Sequence, residues 1–121
     1  MMKSNFYVCS VCGNVIHSIG DVDVRCHGIK LEPELAEEVD EGHKIQIEKI
    51  EDEYYVRIEN EMRKNHYISF IAAVSDGKIE IEKLYPQQDP QARFKINRVR
   101  RILFYCNGDG LFYKDIKINR N

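Results

Sequence analysis

The sequence predicts an all-β protein, a small metal knuckle followed by an antiparallel β-sandwich. Three observations predict it. The first 30 or so residues carry three of the four cysteines and too few apolar side chains to build a core. From residue 43 onward, apolar residues recur with a period of two, the spacing that puts them on one face of a strand. Turn signals then arrive every eight to twelve residues, with no 3.6-residue stripe long enough for a helix.

Residues 1–33 read as a knuckle-and-loop module punctuated by Cys9, Cys12, Gly13, Gly20, Cys26 and Gly28. So small a module needs a staple, and a metal ion is the obvious one. Residues 31–42, LEPELAEEVDEG, are acidic and poorly periodic, a linker with at most one helical turn. The second domain spans 34–121. Ile45 and Ile47 alternate with Lys44, Gln46 and Glu48; Tyr54, Val56 and Ile58 alternate with Tyr55, Arg57 and Glu59, so only one of the adjacent tyrosines belongs to the core. His66 to Val74 is almost wholly apolar, as a central strand buried on both faces must be. Asp76-Gly77 signals a tight turn into the alternating strand Lys78 to Tyr85. Pro86 and Pro90 bracket a loop, Phe94 and Ile96 mark a short strand, and Arg101–Cys106 and Leu111–Ile118 complete about seven strands.

Composition narrows the function. A formal charge of −2 offers no basic excess for nucleic acid, and the short cluster Arg98, Arg100, Arg101 reads as a solvated strand end in preference to a phosphate patch. No apolar run approaches the ~20 residues of a membrane span, and the N-terminus lacks a leader pattern. No glycine-rich phosphate loop, Ser-His-Asp order or helical metalloprotease motif is present. A cytoplasmic location is expected, where clustered cysteines hold metals more often than they form disulfides.

Cys9-x-x-Cys12-Gly13 is a knuckle in which two thiolates grip one ion from a tight turn. Cys26-His27-Gly28 supplies the other pair, and three thiolates with one imidazole suit tetrahedral zinc or iron. His27 is favoured as the fourth ligand because it adjoins Cys26, with His17 in the same loop as the alternative. An imidazole in place of a thiolate makes the site less negative by one unit, which for iron favours the reduced state. Taken by themselves, His43 at a strand start, His66 on an apolar strand, Cys106 at a strand end and the turn Asn107-Gly108-Asp109-Gly110 have ordinary structural explanations.

Together, however, these residues resemble the desulfoferrodoxin (superoxide reductase) family over nearly the whole chain. The front segment is similar to its desulforedoxin-like module, in which the second pair is two adjacent cysteines. Glu41-Gly42-His43, MRKNHYI over residues 62–68, Asp76-Gly77-Lys78, the 86–90 loop and Tyr105 to Phe112 follow in the family's order. The resemblance implies an immunoglobulin-like sandwich holding ferrous iron by four histidines and a cysteine, with superoxide reduced by one electron to hydrogen peroxide. It implies a rubredoxin-like electron donor and a homodimer. His43, His66 and Cys106 match three ligands of that second iron site, and Glu41 matches a glutamate that flanks the open position. Asn60-Glu61 stands where His-Pro is usual, Asp109 where a histidine is usual, and Gly42 where a lysine is usual. Asp109 is carried as a substitute ligand, since two imidazoles and a carboxylate make a workable ferrous set.

Overall fold

The computed structural model describes residues 4–39, 44–59, 62, 65–96 and 98–116. Among them are twelve strands and no helix. The chain divides into two compact units, Met1–Leu35 and Ala36–Asn121.

In the first unit β1 (Ser4–Val8) pairs antiparallel with β2 (Val15–Ile19), and β3 (Val24–Cys26) pairs with β4 (Ile29–Leu31). What reads as knuckle and loop is therefore two hairpins. The first turns through the knuckle, closed by the Cys9 N–H donating to the Asn14 carbonyl at 2.9 Å and the Gly13 N–H to the Cys9 carbonyl at 2.8 Å. The second turns on His27-Gly28, whose φ angles of 54° and 73° both lie in the left-handed region that a two-residue hairpin of this hand requires. Glycine adopts it freely; His27 does so at a steric cost. Among the described residues of this unit the buried hydrophobic ones are Phe6, Tyr7, Cys9 and Val24, a core too small to hold it alone.

The second unit contains β5 (Glu37–Glu38), β6 (Ile45–Ile50), β7 (Glu53–Ile58), β8 (Ile68–Ser75), β9 (Lys78–Lys83), β10 (Gln91–Lys95), β11 (Arg101–Cys106) and β12 (Gly110–Asp115). One sheet has the order β10-β7-β6 and the other β5-β12-β11-β8-β9. The pairings are antiparallel except β5 with β12. Val56 and Ile58 of β7, Ala92 and Phe94 of β10, Ile71 and Ala73 of β8, and Ile102 and Phe104 of β11 share one core. The fold is thus the anticipated all-β sandwich behind a cysteine knuckle. Tyr54 packs against the core, whereas Tyr55 faces outward with the Arg57 and Arg93 guanidiniums 5.5 and 5.6 Å from its ring centre. All six residues Ile68–Ala73 are buried.

Two details depart from the sequence reading. Among its described residues, 31–39, the acidic linker carries no helical turn; Glu37 and Glu38 instead pair in parallel with Phe112 and Tyr113. Strand β12 ends at Asp115, and Lys117 and Ile118 lie outside the described residues.

A bulge interrupts β8 near its start. Phe70 pairs with Tyr105 and Ile68 with Cys106, which leaves Ser69 as an extra residue. Such an insertion bends the strand and re-aims its neighbours. Here it returns Ile68 to the core side, where Ile71 and Ala73 already point, and sets Cys106 against it.

Two of the three arginines of the basic cluster are engaged by carboxylates. Arg100 Nε lies 2.9 Å from Asp76, and Arg101 Nε lies 2.6 Å from Asp115 while its guanidinium sits 4.1 Å from the Tyr113 ring centre. The Arg101 side chain is 41 % exposed and that of Asp115 60 %, so water screens the pair. Asp115→Ala is expected to cost under about 1 kcal/mol in a denaturant melt; a loss above about 2 kcal/mol would mean the pair acts as a buried one.

Candidate metal centres

The first centre lies in the N-terminal unit. Ligand atoms of Cys9, Cys12, Cys26 and His27 all fall within 4.8 Å of one another. The Cys12 and Cys26 sulfurs are 3.5 Å apart, close to the ~3.8 Å edge of a tetrahedron with bonds of about 2.3 Å to sulfur. The donor set and its size therefore fit a zinc or iron ion. His27 joins the cluster because the β3–β4 turn places it directly after Cys26. His17 does not: it lies on β2 with its ring 5.0 Å from that of Phe6. Its Nε2 is buried without a hydrogen-bond partner among the described residues, and burial lowers its pKa.

The three thiols are not equivalent. Backbone N–H groups of Cys12 and Val11 point at the Cys9 sulfur and hold its pKa down at about 7. Cys26, which shares protons with Cys9 and Cys12 and is partly desolvated, is pushed up to about 11. Metal must displace the Cys26 proton throughout the neutral range, so binding strengthens as pH rises. Between pH 7 and 9 the apparent affinity for zinc is expected to grow by at least about tenfold per unit, one proton being released by Cys26 alone. A competition titration with a chelator of known pH dependence checks this; a flat profile would exclude a thiol ligand that is protonated in the apo state.

The second centre lies at one end of the sandwich. Cys106 closes β11, and its side chain is fully buried. The loop 107–109 then turns into β12, and Asn107 ties it to the segment leading into β8. Its N–H donates to the Tyr67 carbonyl at 3.1 Å, its Oδ1 accepts from the Tyr67 N–H at 2.9 Å, and its Nδ2 donates to the Asn65 carbonyl at 3.3 Å. Asn107 thereby acts as a strand partner for Tyr67 where the sheet itself has ended. This brings His66 Nε2 to 3.3 Å from Cys106 Sγ and 3.4 Å from Asp109 Oδ2, with Cys106 Sγ 3.6 Å from that same oxygen. The thiol forms the floor; His66 and Asp109, about 40 % exposed, form the rim.

These contacts converge on one ring nitrogen. A Cys-His-Asp relay for nucleophilic catalysis uses the two imidazole nitrogens separately, one for each partner. Three donors of three kinds aimed at one point suit a metal ion instead. Burial raises the Cys106 pKa, and the Asp109 carboxylate adds to the rise, so this thiol too waits for an ion to displace its proton. Elsewhere on the sandwich, a surface cavity of about 440 Å³ lined by Arg57, Ile58, Glu59, Asp89, Pro90 and Gln91 offers neither thiol nor imidazole.

Of the residues singled out from sequence, Cys9, Cys12, Cys26 and His27 come together, and so do His66, Cys106 and Asp109. Glu41 and His43 lie outside the described residues. Two residues of the site escape sequence reasoning. In the sequence Asn107 is turn chemistry and Gly108 a turn glycine. A Cβ on Gly108 would stand 2.5 Å from His66 Cδ2 and 3.0 Å from Nε2, so the position is glycine because the imidazole fills the space. No periodicity signals a close approach to a residue 42 positions away.

Comparison with known proteins agrees with this architecture. No family model matches the chain. It is 30 % identical over 115 residues to a desulfoferrodoxin homolog of Archaeoglobus fulgidus, covering 88 % of this chain and 92 % of the relative. It is 33 % identical over 113 residues to the desulfoferrodoxin of Desulfarculus baarsii, covering 86 % and 90 %. The desulfoferrodoxin of Syntrophotalea carbinolica is 29 % identical over 119 residues, 91 % and 94 % of the two chains. The fold matches the crystal structure of the superoxide reductase from Treponema pallidum with a TM-score of 0.81 at 18 % identity, over 93 % of this chain and 98 % of that one. Similarity over 88 % and 86 % of this chain to the first two of these relatives, in a chain whose cysteine knuckle precedes a β-sandwich, shows that it belongs to the desulfoferrodoxin family.

Proposed function

We propose that the chain is a two-centre metalloprotein related to superoxide reductase, with a desulforedoxin-like metal-binding module over residues 1–33 and a superoxide-reductase-like domain over 34–121. The observation that carries this reading is the convergence of His66 Nε2, Cys106 Sγ and Asp109 Oδ2 on one point. Ferrous iron held by these residues would supply the one electron that, with two protons, converts superoxide to hydrogen peroxide. The chain's own part is to hold and shape. Cys106 contributes a buried thiolate from the floor, His66 a neutral imidazole, and Asp109 a carboxylate, with His43 as a further imidazole and Glu41 as the flanking carboxylate by resemblance. In the N-terminal module Cys9, Cys12, Cys26 and His27 hold iron or zinc.

The test is stopped-flow mixing of the iron-loaded protein with superoxide, scored for stoichiometric peroxide. Cys106→Ser is expected to abolish the reaction. Consumption no faster than in buffer would sink the activity and leave the second reading, a catalytically silent relative acting in electron transfer or partner binding. One observation favours that reading: Asp109 places negative charge at the rim where an anion must enter.

The family supports a rubredoxin-like protein as electron donor. Self-association into a homodimer is supported by the small unit's exposed apolar side chains, Val11, Ile19, Val22 and Ile29. Sedimentation at several concentrations checks it. Four free cysteines suit a reducing cytoplasm. Among the described residues no helix is long and apolar enough to cross a membrane.

A further inference from the structure

The three thiols of the first centre differ in what can reach them. Cys9 is 1 % exposed, with the N–H groups of Val11 and Cys12 pointing at its sulfur. Cys12 lies exposed in the turn between β1 and β2, and Cys26 ends β3 half-buried. The two hairpins bring the Cys12 and Cys26 sulfurs to 3.5 Å. Proximity alone does not single out this pair, since the Cys9 sulfur belongs to the same cluster. Access does. The two sulfurs that a dissolved oxidant can reach are neighbours from separate hairpins, 14 positions apart in the chain. A disulfide needs its sulfurs about 2.05 Å apart. The gap closes by side-chain rotation, which an exposed residue performs within nanoseconds.

We propose that Cys12 and Cys26 are a peroxide-oxidisable pair, which closes to a disulfide and expels the ion from the first centre. The expulsion rests on the reading of that cluster as a metal centre. Hydrogen peroxide, the product assigned to the second centre, is the oxidant. Coordination keeps a thiol deprotonated, and the thiolate is the nucleophilic form. The Cys12 sulfur attacks one peroxide oxygen; the O–O bond breaks, and the other oxygen leaves, protonated, as water. The sulfenic acid so formed stands beside Cys26, whose sulfur makes the S–S bond and displaces the remaining oxygen as a second water. Two thiolates, one peroxide and two protons thus give one disulfide and two waters, the sulfurs losing the two electrons that the peroxide gains. Cys9 and His27 are left as half of the donor set. The covalent link ties the same two hairpins that the ion ties, and a thiol reductant reverses it. Without a neighbouring thiol the sulfenic acid would go on to sulfinic acid, which thiols do not reverse.

The probe is hydrogen peroxide added to the full-length, zinc-loaded protein and to its Cys106→Ala variant, in which Cys9, Cys12 and Cys26 are the only thiols left. Zinc has no redox chemistry of its own, so oxidation falls on sulfur. A colorimetric chelator should register one zinc equivalent released per disulfide formed. Free thiols in the variant should fall from three to one, and peptide mapping of the unreduced wild type should find Cys12 joined to Cys26 within one chain. Dithiothreitol with added zinc should reverse both changes. Mapping of the wild type decides alone if the variant fails to fold. Thiols that survive peroxide, bonds to Cys9, links between chains, or sulfinic acid in place of a disulfide would each overturn the pair. A Cys12–Cys26 bond formed with zinc retained would overturn the expulsion. A variant that takes up no zinc before oxidation would instead overturn the first centre as a metal site, and peroxide treatment of that apoprotein still decides the pair.

Discussion

Replacing Cys9 by serine is expected to strip the N-terminal unit of its metal and its fold together. Cys9 is both candidate ligand and pivot. It is 1 % exposed, and its N–H and carbonyl close the knuckle onto Asn14 and Gly13. A structural Cys- and His-bound zinc contributes roughly 10–16 kcal/mol of apparent binding free energy, comparable to the whole stability of an ordinary domain. Phe6, Tyr7 and Val24 cannot make up such a loss. Mass spectrometry should find one metal equivalent fewer, and amide signals of residues 4–31 should collapse toward unfolded positions. The sandwich, with its own core of Val56, Phe94, Ile71 and Phe104, should still melt cooperatively. An unchanged metal content would sink the assignment of the first centre.

Gly108→Ala is the subtler change, and it should act on the second centre alone. The new methyl group would meet the His66 ring at 2.5 Å, a distance that forces something to move. The φ at Gly108 is not in the left-handed region, so the backbone itself accepts alanine. His66 is partly exposed and can swing away. The fold should therefore survive with a change under about 1 kcal/mol, while the imidazole leaves the donor triangle. Loss of a positioning contact of this kind typically weakens metal binding by about 10- to 100-fold. Isothermal titration of the second equivalent reads the effect, and an unaltered second affinity would show that His66 is not a ligand.

Much of this architecture is legible in the sequence because burial on one face of a strand leaves a period-two trace. Val56 and Ile58 are buried and Arg57 is exposed, as the alternation requires. The hairpins of the N-terminal unit leave no such trace, since strands of three to five residues around a metal need not alternate. Glu37 and Glu38 read as linker for a related reason: a two-residue edge pairing with both side chains exposed has no hydrophobic signature. Among the candidate ligands, Cys9, Cys12 and Cys26 announce themselves by spacing. The choice between His27 and His17 is one of turn geometry, which a sequence records only through Gly28. Asn107 and Gly108 are illegible as positioning residues because their partners, Asn65 to Tyr67, lie some 40 positions back in the chain, at the entry to the neighbouring strand β8.

The extra residue at Ser69 ties the interior to the metal pocket by parity. With it, Ile68, Ile71 and Ala73 share an orientation; deleting it would leave one end of the strand pointing the wrong way, so that either the entry toward His66 or the packing layer must flip. Single-residue insertions and deletions between His66 and Ile71 should thus be far less tolerated than paired ones. The parity of that strand, and not its exact length, is what the packing layer and the loop beside Cys106 jointly fix.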